Sequence, residues 1–122
     1  MFATQLHNSL ATTMILFMSV CGLWGIFAAL RGGLSGSFSG ALVVGEGLIL
    51  MQGLLGILAY LAGGQPSRGL VHNLYGATAA LTLPAIYLIV GRGKSDRQQA
   101  LLLGLGALFI VGLAIRGITT GR

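Results

Sequence analysis

Four long apolar stretches, parted by short breaks rich in glycine, serine or charge, constrain this chain more than any other feature. They run from Leu6 to Leu30, Ala41 to Ala62, Leu70 to Val90 and Gln99 to Ile118. Each reaches the length of about 20 residues that an α-helix needs to cross a bilayer core at about 1.5 Å per residue. The first break, Arg31 to Gly40, is a Gly/Ser tract, and the second, Gly63 to Arg68, reads as a turn. The third, Gly91 to Gln98, holds the one dense charge cluster. No run alternates apolar and polar residues as a barrel strand would, whereas a helix in lipid satisfies its own backbone. The pattern predicts an all-α integral membrane protein. It is a single domain over residues 1–122, an up-down bundle of four transmembrane helices with both termini on one side.

Composition bears on the same point. The chain is 55% hydrophobic and only 7% charged, against about a quarter charged in an ordinary soluble domain. It has too few polar groups to cover a water-facing surface. The net charge of +5 does not read as nucleic-acid binding, because the seven Lys and Arg sit at segment ends or in breaks. Cations there set orientation and meet lipid headgroups. Arg31, Arg92, Lys94 and Arg97 fall on one side, and Arg68, Arg116 and Arg122 on the other. The dense cluster predicts a cytoplasmic first and third break with extracytoplasmic termini, as in a bacterial inner membrane. The first stretch has no Lys or Arg before it and is too long for a signal h-region, so it reads as a retained helix. The lone Cys21 reads as a small buried apolar residue.

The two histidines open the first and third stretches in near-identical contexts, Leu6-His7-Asn8-Ser9-Leu10-Ala11 and Val71-His72-Asn73-Leu74-Tyr75-Gly76. If both helices run the same way, the imidazoles lie at one depth on one side. That is what a bis-histidine haem requires, one axial ligand on each face of the iron. Ala11 and Gly76, one turn after each histidine, leave room for a flat macrocycle, and Tyr75 is near enough to line the pocket. The plainer alternative is two amphipathic residues in the headgroup layer. A metal centre other than haem is disfavoured, since no Cys or carboxylate accompanies the pair at that end.

A shift of 65 residues carries His7 onto His72, Asn8 onto Asn73, Thr13 onto Thr78 and Leu16 onto Leu81. The matches fade in the second and fourth stretches, where Glu46 and Gln52 find no counterparts. Two repeated helical hairpins would give this pattern. The 21 glycines are suited to close helix packing in lipid, which provides no hydrophobic drive between helices.

Other polar or special residues are few. Glu46 is the one intramembrane acid, expected to pair with Arg31 or the Arg92–Arg97 cluster, with proton transfer at a quinone or transport site as the functional alternative. Gln52 needs a partner for its amide and could take one from another helix, a haem substituent or a quinone carbonyl. Trp24, Tyr60 and Tyr87 read as interfacial aromatics, and Pro84 should kink the third helix. No nucleophile–base pair, paired carboxylates or phosphate loop is present, so an enzyme is not expected.

The run Leu50-Met51-Gln52-Gly53-Leu54-Leu55-Gly56 through Pro66 to Val71-His72 resembles a helix pair of the haem A synthase family. There a Gln-x-x-x-Gly helix leads through a Pro-containing turn to a haem-ligand His. Leu6-His7-Asn8-Ser9-Leu10-Ala11 is similar to the opening of that family's other ligand helix. The resemblance implies a four-helix half-bundle with His7 and His72 as haem ligands and Gln52 and Gly56 beside the cofactor. It also departs from the family. Thr4 stands where the catalytic half carries Glu, Asn8 stands where Arg usually follows the His, the helix order is shifted by one, and the chain is half as long. These departures argue against the synthase reaction.

The expected function is a small b-type cytochrome-like subunit, holding haem b between His7 and His72 within a larger respiratory or photosynthetic complex. Lipid, quinone or pigment would be its small partners. The alternatives are a non-redox accessory subunit that stabilises a membrane complex through lipid or pigment, and a small dimeric transporter using Glu46.

Overall fold

Apolar, Leu- and Ala-rich stretches with good helix propensity fold as helices throughout. The structure is a computed structural model describing residues 2–32, 36–63, 69–90 and 92–121, with side chains placed in all of these except residues 2–4, 70, 90, 120 and 121. Helix α1 spans Phe2–Arg31, α2 Gly36–Leu61, α3 Gly69–Ala85 and α4 Asp96–Gly121. Arg68 and Arg122, and most of the turn between Gly63 and Arg68, lie outside the described residues.

Local chemistry sets several of the ends. The Gly/Ser tract is not all loop, because α2 already begins at Gly36. At the end of α2 the chain stops on Gly63, whose φ of 98° is the left-handed conformation that favours glycine. Its N–H donates to the Tyr60 carbonyl at 3.0 Å. A reciprocal cap opens α4. The Gln98 N–H donates to Ser95 Oγ and the Ser95 N–H to Gln98 Oε1, both at 3.2 Å. This capping box starts the helix at Asp96, three residues before the expected Gln99, with an acid in the first turn where the helix dipole favours it.

The third stretch corrects the sequence reading. Among the described residues, three helices are long and apolar enough to cross a membrane: Gln5–Arg31, Gly36–Leu61 and Asp96–Thr119. The expected four transmembrane helices are therefore not found. Helix α3 has 17 residues, about 25 Å at 1.5 Å per residue, short of a hydrocarbon core of about 30 Å. It also carries His72, Asn73, Thr78 and Thr82. Pro84 is the physical cause of the interruption. It lacks an N–H and crowds the carbonyl one turn back, and the following residues Ile86–Val90 widen into a π-helical segment in place of a simple kink. The three apolar helices mark the chain as a membrane protein.

Helices α1 and α3 occupy one diagonal of the bundle, with no close backbone approach between them among the described residues, and α2 and α4 the other. Helix α1 packs most extensively on α4, then on α2; α3 packs on α4; α2 and α3 touch least. Contacts between the start of one helix and the end of the next make neighbours antiparallel and α1 parallel to α3, with the start of α1 and the end of α4 at one end. The core centres on Met18, Cys21, Phe38 and Ile110, all fully buried. Trp24, expected at the interface, instead packs on this core with its ring 5.6 Å from that of Phe38.

Candidate functional site

The parallel run of α1 and α3 brings both histidines to the same end, facing each other across the diagonal. Their ring centres stand 6.0 Å apart with planes inclined at 65°. His7 Nδ1 lies 3.0 Å from the Gln52 carbonyl and His72 Nδ1 lies 3.0 Å from the Gly117 carbonyl. A carbonyl oxygen can only accept, so each neutral imidazole donates from Nδ1 and carries its lone pair on Nε2. This is how proteins orient a histidine that ligates through the other nitrogen.

Both bonds join residues 45 apart in sequence. Gly117 lies 65 residues beyond Gln52, the same shift that carries His7 onto His72. Gln52, which has no side-chain counterpart in the second half, thus has a backbone counterpart. Sequence reasoning missed Gly117 because a carbonyl acceptor leaves no mark on residue type. Only the 65-residue register could have pointed to it.

Around the pair lies a partly enclosed cavity of about 950 Å³, at the upper end of the roughly 300–1,000 Å³ range of ligand pockets. All seven residues expected at the site, His7, His72, Ala11, Gly76, Gln52, Gly56 and Tyr75, line it. Their roles differ from expectation in part. Gly76 fronts open space, since an added Cβ there would meet nothing within 4 Å. A Cβ on Gly56 would stand 3.1 Å from His7 Cε1, so this glycine gives the imidazole its room. Gln52 is tied to α1, its Nε2 donating to the His7 carbonyl at 2.7 Å. Its Oε1 is buried with no partner among the described residues. The Tyr75 ring carries the Arg116 guanidinium 6.0 Å from its centre.

Glu46 does not line the cavity. Its expected cation is not there either. Arg31 stacks on the Phe27 ring at 4.8 Å, Arg92, Lys94 and Arg97 are exposed, and Glu46 Oε1 is buried without a partner among the described residues. Nor do the described residues hold a cluster of three or more His, Cys, Asp or Glu that would bind a bare metal ion. Searches of protein-family models, curated proteins and solved structures return no match to the chain.

Proposed function

We propose that the cavity holds a b-type haem with His7 and His72 as axial ligands, and that the chain is a small cytochrome-like subunit of a larger electron-transfer assembly. The paired imidazoles carry this reading. An iron shared by two histidines needs nitrogens about 4 Å apart, twice a bond of about 2 Å, which sets ring centres about 6 Å apart when the nitrogens face. The observed 6.0 Å fits that spacing. The donor set fits as well: two imidazoles, each held through Nδ1 by a backbone carbonyl, line one cavity, with no carboxylate among the described lining residues. Volume and the open side at Gly76 suit a flat macrocycle.

Haem so held supplies reversible one-electron transfer, and the chain's own contribution is orientation and environment. The Gln52 and Gly117 carbonyls fix the tautomer and rotation of the two rings. Ala11, Met14, Ile49 and Ala79 give the wall a low dielectric. Arg31, Arg92, Lys94 and Arg97 gather at the end away from the histidines, which supports placing the histidine end on the extracytoplasmic face of a bacterial inner membrane.

The test is an absorption spectrum of the purified protein and of His7→Ala and His72→Ala. Wild type should give a low-spin spectrum with reducible α-bands, lost in each variant. Wild type without stoichiometric haem, or both variants with an unchanged spectrum, would overturn the reading and leave the accessory-subunit alternative standing.

A further inference from the structure

Helices α1 and α4 are held together by a glycine contact at the end of the bundle away from the histidines, whereas the cavity at the histidine end is walled mainly by α2 and α3. In the glycine contact a Cβ on Gly25 would stand 2.5 Å from Gly104 Cα, and one on Gly104 would stand 2.9 Å from Gly25 Cα. The 65-residue shift carries Gly22 and Gly25 onto Tyr87 and Val90, and Gly104 back onto Ser39. Close approach by interlocking glycines is thus not available to α2 and α3, and they are the neighbouring pair that touches least. Most of the cavity wall comes from these two helices, between Ile49 and Tyr60 and between Gly69 and Ala80. Gly53 and Gly76, one on each helix, front open space. Along α2 the cavity reaches the outward-facing side chains Leu50, Leu54 and Ile57, each more than half exposed. Helix α2 is long and apolar enough to cross a bilayer, so these side chains meet acyl chains.

We infer that the cleft between α2 and α3 is a lateral portal through which the cavity takes its ligand from within the bilayer, the ligand being an apolar ring-shaped amphiphile. Haem as that ligand rests on the function proposed above, while the portal itself rests on the packing alone. A molecule dissolved among acyl chains that moves sideways between Leu54 and Gly76 stays in an apolar medium and avoids the cost of rehydration.

Two measurements on the full chain in lipid nanodiscs test this. In the first, Trp24 is replaced by Phe and a single reporter is placed by Gly76→Trp or, for comparison, by Leu101→Trp on the outer face of α4. Lipids brominated on their acyl chains should quench both reporters to a similar degree. A Gly76→Trp reporter quenched several-fold less than Leu101→Trp means a cleft closed to lipid and overturns the portal, whatever the spectrum. In the second, haemin is added to apoprotein discs. The low-spin spectrum should appear at a rate that follows the haemin dissolved in the disc lipid. A rate set by aqueous haemin and indifferent to its lipid content also overturns the portal. Strong quenching without any low-spin spectrum would uphold the portal and remove haem as its ligand.

Discussion

The α1–α4 flank and the α2–α3 flank are built from corresponding helices of two similar hairpins, yet one is a sealed backbone contact and the other a cleft. On the sealed side Gly22, Gly25 and Gly104 bring two backbones within van der Waals reach, the main source of helix affinity where lipid is as apolar as leucine. On the open side the corresponding residues are Tyr87, Val90 and Ser39. There Pro84 also turns the end of the third stretch into a π-helical segment. A repeat therefore need not fold symmetrically. Glycines hold α1 to α4 at the end away from the histidines, while α2 and α3, which touch less, supply most of the cavity wall at the histidine end.

The strongest way to break this contrast is to seal nothing. Gly104→Leu or Gly25→Leu places a side chain where backbone now stands and should force α1 from α4, costing about 3 kcal/mol or more by overpacking. Unfolding in mixed detergent micelles would measure it. The contrast predicts that Gly53→Ala, on the open flank, changes stability by less than about 1 kcal/mol, and in the favourable direction through helix propensity. Equal losses at Gly25 and Gly53 would show that the two flanks are not as different as described.

A finer test sits between the flanks. Gly56→Ala puts a methyl 3.1 Å from the His7 ring, so the ring must give by a few tenths of an ångström and its bond to the Gln52 carbonyl should loosen. Retention of haem should weaken and stability should fall by less than in the seam variants. Haem dissociation kinetics would read the first effect and denaturant unfolding the second. Gln52→Leu removes the amide bond to the His7 carbonyl but not the backbone carbonyl that holds Nδ1, and it also deletes an unpartnered buried oxygen. The lost bond is worth about 1 kcal/mol and the orphan oxygen offsets part of that, so the net loss should be under about 1 kcal/mol. The smallest effect belongs to Glu46→Gln. Pairing with nearby cations would make the change slightly destabilising. With Oε1 buried and unpartnered, neutralising the side chain should leave stability unchanged or slightly raised, with any haem spectrum intact. Loss of electron transfer in the assembled Glu46→Gln protein would assign this carboxyl a role in the chemistry.

Much of the site could be read from residue order, because it depends on short-range repetition. Two similar openings, each with a histidine and a small residue one turn on, place both rings at equivalent positions on their helices. Every residue expected at the cavity does line it. What each does there was less legible. Gly56 lines the cavity and also gives the His7 ring room, and of the partners open to Gln52 (another helix, a haem substituent or a quinone carbonyl) the structure shows its amide tying α2 to α1. Both outcomes depend on which helix stands opposite, and that information is not local.

Sequence by itself determined that the chain is helical, that its long segments are apolar enough for a bilayer, and that the histidines share a register. Those properties follow from composition, periodicity and the demand that every backbone group in lipid be satisfied within its own helix. Structure decided how far Pro84 acts: it breaks the local helix hydrogen bonding, a π-helical segment follows, and the third stretch falls short of a spanning helix. Tertiary structure also decided that Gly117 holds His72, that Glu46 has no cation within reach among the described residues, and that one flank closes while its counterpart does not. The last three turn on contacts made or missing between residues far apart in the chain, set by how closely two helices can approach, and glycine permits an approach without compelling it.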